Sequence, residues 1–313
     1  MPYPYYIDEI NKRAIEDPEG FALESEAIYT RKVKETAAMI KERAALSSVV
    51  LLSGPSGSGK TTTAHKICSA LECIGVRAHT VSLDKYYLQL DPKTTPRTED
   101  GEYDLESPFC LDLELLGNHF KALDRGEEVT IPHFSFKLQS RDTSKQKPLK
   151  LTTGEIVIFE GIHALNDMLA DEHPEAFKLY ISARSDIESY GSLRFKRTWT
   201  RLLRRVVRDE LFRGTGASDT FKMWAVVRDG EKKYISPFKH KADLLFDSSM
   251  PYEVPVMKHF AQKVFGDVPD GIKRCDELRS VLPSLMNFEE VDPTFVPPDS
   301  ILREFIGGGI YKY

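Results

Sequence analysis

The chain has 313 residues, of which 41% are hydrophobic and 29% are charged, a composition that is typical of one large or two small globular domains and excludes a globally disordered protein. The formal net charge of -5 argues against a protein whose main task is to neutralise nucleic-acid phosphates, so we expect nucleic acid to be an unlikely partner. Because the sequence has no apolar run long enough to span a bilayer, no signal-peptide features at its start and no zinc-ligand spacing among its four cysteines, we expect a cytoplasmic protein without a membrane partner.

The first part of the chain is predicted to be helical, and apolar strands follow it. Across residues 1–45, Tyr29, Val33 and Ala37 recur at helical spacing, which predicts an N-terminal helical extension. Short apolar runs then predict five buried strands, at residues 46–52, 76–83, 155–159, 179–182 and 243–247. We also predict a short strand at 129–131, helices at 61–71 and 111–123, and loops at 91–108 and 140–148.

The order of these elements predicts the fold class. Strands separated by helices indicate an α/β protein of the P-loop NTPase type, with a parallel sheet and helices on both faces. We expect this domain to span residues 46–250, with a C-terminal helical extension and docking tail over 251–313. The tail has apolar residues that suggest burial, either against the core or against a second subunit of a homo-oligomer: Ile301, Leu302, Phe305 and Ile306.

Residues 54–61, with the sequence GPSGSGKT, match the phosphate-loop (P-loop) pattern G-x-x-x-x-G-K-[ST]. Glycines let backbone N–H groups turn inward around phosphate oxygens, and the following helix N-terminus adds the positive end of its dipole. A glycine-rich turn before an ordinary helix is the alternative, but the motif sits between an apolar strand and a helix, as phosphate binding requires. We expect Lys60 to reach the β- and γ-phosphates of ATP and the Thr61 hydroxyl to ligate Mg²⁺. The residues predicted to bind the nucleotide are Gly54, Ser56, Gly57, Ser58, Gly59, Lys60, Thr61 and Thr62.

Two acidic residues end strands that we expect to flank the P-loop strand. Asp84 follows the strand at 76–83, and Glu160 follows the strand at 155–159. Ligands of open α/β sheets bind at the carboxyl ends of the strands. One carboxylate is therefore a candidate to accept a proton from a substrate hydroxyl, and the other to hold Mg²⁺. The alternative is that each acid only caps the next element.

Arg201, Arg205 and Arg208 recur at i, i+4 and i+7, so one helix face carries three guanidinium groups. Arg213 follows where this helix is expected to end. Arginines on a mobile helix suit a lid, at about residues 201–220, that closes over a transferring phosphate. A solvated basic face and a nucleic-acid groove are the alternatives.

These residues resemble the uridine kinase and phosphoribulokinase family of P-loop kinases over about residues 48–252. The resemblance is carried by the P-loop and by five further stretches: SLDKYY around Asp84, YDLESPFCLDLELL from Tyr103, IPHFSFKLQSR from Ile131, IVIFEGIHALN from Ile156 and RLLRRVVRDELFRG from Arg201. Within the family the sequence looks closest to the bacterial uridine kinase-like proteins, which share FKMWAVVRDGEKKYISPF from Phe221 and the terminal SILREFIGG.

The resemblance implies roles for residues of this chain. It makes Asp84 the general base on a nucleoside 5′-hydroxyl, with Thr61, Glu160 and Asp84 as the set around Mg²⁺. It places Tyr87, Tyr103 and Asp104 along the nucleoside, with Asp104 at the ribose hydroxyls. Arg205, Arg208 and Arg213 become lid arginines near the triphosphate and the substrate, and Lys60, Arg208 and Arg213 join Asp84 as catalytic residues.

The base pocket departs from the family pattern. Uridine-cytidine kinases typically have Tyr-Asp-Phe where this chain has Phe134-Ser135-Phe136, and His where it has Gln139. Phe134 and Gln139 are therefore candidate substrate residues of altered chemistry. The Arg-Gly-Arg of the family's lid is Arg213-Gly214-Thr215 here, which loses one cation.

Three functions follow from the sequence. The first is an ATP-dependent kinase that phosphorylates a small molecule, a uridine- or cytidine-like nucleoside, with ATP and Mg²⁺ as cofactors. The second keeps this chemistry and changes the acceptor to another small hydroxyl compound, which the altered segment from Phe134 to Gln139 motivates. The third is a nucleotide-binding regulatory protein with weak ATPase activity. Retention of Asp84 and Glu160 favours the first two, since a protein that only binds nucleotide needs no general base.

Overall fold

The computed structural model describes residues 4–136 and 138–311. The helices in these residues are α1 Ile7–Glu16, α2 Pro18–Arg43, α3 Lys60–Cys73, α4 Leu113–Asp124, α5 Asp167–Ala170, α6 Arg197–Phe212, α7 Ala217–Tyr234, α8 Glu253–Val264, α9 Cys275–Arg279, α10 Val281–Leu285 and α11 Arg303–Ile306. The strands are β1 Tyr5–Tyr6, β2 Val49–Ser53, β3 Ala78–Ser82, β4 Val129–Ile131, β5 Phe134–Ser135, β6 Ser140–Arg141, β7 Lys147–Leu149, β8 Ile156–Glu160, β9 Phe177–Ser182, β10 Ile187–Ser189, β11 Ser192–Phe195 and β12 Leu244–Asp247.

Five strands form one all-parallel sheet in the order β12-β9-β2-β8-β3. Successive side chains of a strand point to opposite faces, and here the two faces contact different cores. Val50 and Leu52 of β2 pack with α2, α3 and α6, whereas Val49 and Leu51 pack with α4 and α5. The predicted α/β fold, a parallel sheet with helices on both faces, is therefore confirmed.

The order of the strands corrects one expectation about the site. The strand that precedes Asp84, β3, is predicted to lie beside the P-loop strand β2, but β8 lies between them. Glu160, at the end of β8, is therefore the acid whose strand neighbours the P-loop strand. Sequence periodicity predicts which segments are strands, whereas their order depends on how the crossover helices pack, and no local pattern specifies that packing.

The predicted strand at 129–131 exists, but it lies outside the main sheet because β4 pairs antiparallel with β7. The small sheet of β1, β10 and β11 was not predicted. β1 also corrects the expectation that residues 1–45 are helical throughout, because Tyr5 and Tyr6 pair with Ile187 and Glu188. These strands are two to four residues long, too short to show a clear period in the sequence.

Helices from both ends of the chain complete the core. In α2, Phe21, Tyr29 and Val33 are buried, and the Tyr29 hydroxyl lies 2.5 Å from Thr63 Oγ1 on α3. In the C-terminal tail, Ile301, Leu302 and Phe305 are fully buried in the same core. The expected burial of the tail is thus observed within one chain. The boundaries predicted at residues 45 and 251 stay predictions.

The helix predicted to carry lid arginines, α6, is packed into the core. Its apolar residues Leu202, Leu203, Val206 and Val207 are fully buried. α6 contacts α7, α8 and α11. The lid at about residues 201–220 stays a prediction, but any such motion would have to leave the buried face of α6 in place. No helix in the described part of the chain is long and apolar enough to cross a membrane.

Candidate active site

The P-loop connects β2 to α3 and depends on two glycines. Gly59 has a φ of 82°, in the left-handed region that favours glycine, and it directly precedes Lys60, the first residue of α3. Gly54 passes close to β9, and a Cβ atom built on it would lie 2.0 Å from the Ile181 carbonyl oxygen. These glycines let the loop turn tightly enough to leave the N-terminus of α3 facing a cavity.

That cavity has a volume of about 670 Å³ and gathers most of the residues predicted to bind nucleotide or catalyse transfer. Of the predicted site residues, those that line it are Ser56, Gly57, Gly59, Lys60, Thr61, Asp84, Glu160, Arg208 and Arg213. Gly54, Ser58 and Thr62 are buried in the loop and the first turn of α3. The Lys60 ammonium donates a hydrogen bond to the Pro55 carbonyl at 3.3 Å and so folds back over the loop.

Two carboxylates face this cavity from neighbouring strands. Glu160 is the last residue of β8, and its Oε1 lies 3.3 Å from the Thr61 hydroxyl oxygen. Burial raises the pKa of Glu160 to about 7, although the Lys60 ammonium acts in the opposite direction. Asp84 follows β3, and its side chain is exposed to the cavity. Because protein surrounds the cavity, desolvation raises the pKa of Asp84 as well. The pKa of Lys60 shifts in the opposite direction. Desolvation lowers it, and the negative charges of Glu160 and Asp84 partly offset that effect.

The oxygen atoms at this end of the cavity fit a magnesium ion. Within residues 4–136 and 138–311, no group of three or more His, Cys, Asp or Glu side chains forms a metal cluster by itself. The set that faces the cavity is instead the Thr61 hydroxyl with the Glu160 and Asp84 carboxylates. Mg²⁺ prefers such hard oxygen ligands, and it usually takes only one or two carboxylates and completes its shell with water and substrate phosphates.

Three arginines of α6 hold the P-loop through its oxygen atoms. Arg201 Nε donates to the Ser56 carbonyl at 3.0 Å, and Arg205 Nη1 donates to the Ser56 hydroxyl at 3.0 Å. Arg204 Nη1 donates to the Gly57 carbonyl at 3.1 Å. The carbonyl and the N–H of a peptide point in opposite directions, so holding the Ser56 carbonyl toward α6 turns the N–H of Gly57 to the other side, where it can meet an anion. The Ser58 N–H, in contrast, donates to the Pro55 carbonyl at 3.2 Å.

Arg204 is the most deeply buried of these arginines, and the sequence analysis did not single it out. It is fully buried and forms a two-pronged ion pair with Glu253, in which Nη2 lies 2.7 Å from Oε2. Arg204 Nη2 also donates to the Ser248 carbonyl at 2.9 Å. The sequence carries little signal for this role, because Arg204 is followed by Arg205 and only the fold shows that its guanidinium is buried and needs an acidic partner.

Arg205 and two further arginines converge on one acid, Asp209, which is also buried. Arg205 Nε lies 3.3 Å from Oδ2 of Asp209, and Arg208 Nε lies 3.4 Å from Oδ1. Arg213 Nη1 lies 3.5 Å from Oδ1, and its side chain stays half exposed in the cavity wall. Asp209 therefore aims Arg208 and Arg213 at the cavity, whereas Arg201 is neutralised by Glu231 at 3.0 Å.

The predicted nucleoside residues lie in separate groups. Tyr87 packs against Phe134 and Phe136, with ring centroids 5.8 Å and 5.5 Å away. Asp104 is buried and accepts a hydrogen bond from the Tyr234 hydroxyl at 2.7 Å.

The other two predicted substrate residues are turned to different partners. Tyr103 is covered by the guanidinium of Arg97 at 4.5 Å. Gln139 is exposed at the end of the β5–β6 hairpin, where its amide donates to the Phe136 carbonyl at 2.6 Å. The structure therefore does not bring Tyr103 and Gln139 into the phosphate cavity, and their roles at a substrate stay predictions.

Glu106 interacts electrostatically with residues of the cavity and with Asp104, and no role is predicted for it from its motif. Burial raises the pKa of Glu106 to about 7, the cations Arg205 and Lys60 oppose this shift, and Asp104 and Asp84 add to it. The β-carbon of Glu106 also lies so close to Gly230 that a Cβ atom there would come within 2.5 Å of it. Glu106 is thus a third carboxylate whose pKa depends on the charged groups of the site.

The fold and this site define a P-loop phosphotransferase. The model of the phosphoribulokinase / uridine kinase family matches residues 49–254 of the chain, and the chain belongs to that family. The predicted family and the predicted class of enzyme, an ATP-dependent phosphotransferase with a hydroxyl acceptor, are both confirmed.

Individual relatives are distant. The chain is 30% identical over 200 residues to a uridine kinase of Macrococcus caseolyticus, an alignment that covers 64% of this chain and 87% of the relative. It is 26% identical over 200 residues to a uridine kinase of Halobacterium salinarum, covering 64% and 79%. Among solved structures, a putative fructose transport system kinase from Silicibacter sp. TM1040 aligns with a TM-score of 0.47 at 19% identity, covering 68% of this chain and 98% of that one.

The Arg204–Glu253 pair gives a first prediction. Arg204→Met removes the cation and leaves the Glu253 carboxylate buried and unpaired, so we expect a loss of roughly 3–5 kcal/mol in the free energy of unfolding. Chemical denaturation followed by circular dichroism measures it. Arg213→Met is the matched control, because its half-exposed ion pair contributes at most about 1 kcal/mol. Equal losses in the two variants would contradict the role assigned to Arg204.

Glu106 gives a second prediction, which depends on pH. A solvated glutamate has a pKa of 4.5 and Glu106 has one of about 7 in the folded protein, so the unfolded chain ionises first and stability falls as the pH rises from about 4.5 to 7. Glu106→Gln removes this penalty, which amounts to roughly 3 kcal/mol above pH 7. We therefore expect the variant to melt at a higher temperature than the wild type at pH 8 and at nearly the same temperature at pH 4.5. Calorimetry at both pH values, with the exposed Glu289→Gln as control, tests this; an unchanged or lower melting temperature at pH 8 would contradict it.

Proposed function

We propose that the protein is an ATP-dependent, Mg²⁺-dependent kinase that transfers the γ-phosphate of ATP to the 5′-hydroxyl of a nucleoside of the uridine or cytidine type. The observation that carries the proposal is the convergence, on one cavity, of a P-loop lysine, two carboxylates from adjacent strands and two arginines aimed by Asp209. The uridine kinases among the relatives support the choice of a nucleoside as the acceptor.

Each group has a chemical task in this proposal. The N–H groups of the P-loop and the Lys60 ammonium hold the phosphates, and Arg208 and Arg213 neutralise charge that develops on the transferring group. Asp84 opens to the cavity, so it can accept the proton of the attacking hydroxyl, and its raised pKa makes it a better base than a solvated carboxylate. Thr61 and Glu160 would hold Mg²⁺, which supplies charge neutralisation at the phosphates when it is bound.

A second candidate keeps the chemistry and changes the acceptor. Where the base would lie, Tyr87, Phe134 and Phe136 form an aromatic cluster, and Gln139 points back into its own hairpin. The cluster offers stacking surface but few hydrogen-bonding groups to read a pyrimidine edge. This observation favours either a nucleoside recognised mainly by stacking or another small hydroxyl compound with a flat apolar part.

Acceptor-dependent release of ADP tests the proposed function. The assay uses full-length protein, ATP and Mg²⁺ with uridine, cytidine, purine nucleosides, deoxynucleosides and ribulose 5-phosphate as acceptors. We expect a pyrimidine nucleoside to raise the rate of ADP release above the acceptor-free background. Release with a purine nucleoside but with neither uridine nor cytidine would favour the second candidate, whereas release with ribulose 5-phosphate alone would contradict an acceptor that is bound by stacking. ATP binding without any acceptor-dependent release would contradict a kinase of either kind on this panel.

Asp84→Asn serves as the internal test of the mechanism in the same assay. The substitution removes the base and preserves its shape, so we expect ATP binding to remain nearly intact and the rate to fall by about 10²–10⁴. Asp91→Asn, in the exposed loop after the site, is the control and should transfer phosphate at the wild-type rate. An Asp84→Asn variant with the wild-type rate would overturn the assignment of the base.

A further inference from the structure

The C-terminal segment, residues 300–311, forms one wall of the phosphate cavity. Arg303, Glu304, Gly307, Gly308, Gly309 and Tyr311 all line that cavity. The side chain of Ile301 rests directly on the P-loop, because a Cβ atom built on Gly59 would lie 2.0 Å from Ile301 Cδ1. Farther along, Tyr311 stacks on His65 of α3, with ring centroids 5.4 Å apart and an angle of 10° between the rings. The segment therefore covers the N-terminus of α3, the element that phosphate binding requires.

One side chain of this segment makes contacts that are characteristic of a bound phosphate. Glu304 Oε2 accepts hydrogen bonds from the Thr62 hydroxyl at 2.6 Å and from the Thr62 backbone N–H at 3.4 Å. Its other oxygen, Oε1, lies 3.7 Å from Nη1 of Arg208, one of the cations aimed at the cavity. Thr62 is the third residue of α3, so its N–H is one of the donors that have to find a partner outside the helix.

A carboxylate and a phosphate compete for donors of this kind. Both are anions, both accept several hydrogen bonds from a helix N-terminus, and two anions at one set of donors repel each other. Lys60 and Thr61 precede Thr62 in the same turn, so a nucleotide held by them would bring a phosphate toward the donors that Glu304 occupies. The electrostatic influence of Glu304 extends to Lys60 itself.

We propose that Glu304 competes with a phosphate of the nucleotide for Thr62, so that the C-terminal segment is a built-in competitive inhibitor of nucleotide binding. The inference rests on the proposed function only in that the P-loop binds a nucleoside triphosphate. In the free protein the carboxylate fills the phosphate position, and Glu304 has to leave it before the triphosphate is fully seated. The apparent affinity for ATP is then lower than the intrinsic affinity by the fraction of molecules in which the position is open.

Glu304→Gln tests this directly. The amide keeps the size of the side chain and an oxygen that can accept from Thr62, but it removes the charge and weakens the contact. Because a hydrogen bond to a charged group contributes more than a neutral one, we expect the Kd for ATP, measured by isothermal titration calorimetry without acceptor, to fall by about tenfold. Glu289→Gln is the matched control: the same change at an exposed position of the C-terminal region, which should leave the Kd unchanged.

A second measurement keeps the proposal testable if Glu304→Gln alters folding. Hydrogen exchange of the wild-type protein, followed by mass spectrometry with and without ATP, reports on the segment itself. Amides that close α11, such as those of Ile306 and Gly307, should exchange faster when ATP is bound. Slower exchange there on binding ATP, or a Glu304→Gln variant that binds ATP no more tightly than the wild type, would overturn the competition. If neither the wild type nor the control variant binds ATP, nucleotide binding itself fails, and the proposed function fails with it.

Discussion

The buried ion pair between Arg204 and Glu253 is the interaction on which the site depends. Desolvation of a guanidinium is costly, and Arg204 is fully buried, so its charge has to be matched by Glu253 at the start of α8 and by the carbonyls of Gly57 and Ser248. Burial by itself would lower the pKa of Arg204, and Glu253 more than offsets this. Such a pair adds little net stability compared with an apolar core. Its hydrogen bonds, however, form in only one arrangement of the surrounding backbone. The pair fixes the P-loop, the end of β12 and α6 with respect to one another.

The same helix both builds the core and brings cations to the cavity at the P-loop. The apolar stripe of α6 packs against α8 and α11, and Arg201 and Arg204 are more deeply buried than Arg205 and Arg208. Arg201 and Arg204 are paired with acids and serve the P-loop, whereas Arg208 and Arg213 are gathered by Asp209 and reach the cavity. Glu160 lines the same cavity, and burial raises its pKa to about 7, a perturbation that is typical of sites where charge serves chemistry.

Much of this could be predicted from the sequence. The P-loop, the five strands and the two acids at strand ends are local patterns, and each was found within a few residues of its place. The rest depends on contacts between distant parts of the chain. The periodicity of the sequence does not specify that β8 lies between β2 and β3. It also does not specify the contact of Arg204 with Glu253, 49 positions away, or that of Glu304 with Thr62, 242 positions away.

The proposed transfer of phosphate to a nucleoside 5′-hydroxyl is tested most directly by the identity of the product. Full-length protein is incubated with ATP, Mg²⁺ and uridine, and the products are examined by ³¹P NMR, in parallel with 5′-deoxyuridine as the acceptor. Besides ADP, we expect a new phosphomonoester whose resonance is split by the two 5′ protons, formed from uridine and absent with 5′-deoxyuridine. ADP and inorganic phosphate as the only new products, or an ester that still forms with 5′-deoxyuridine, would contradict the proposed transfer.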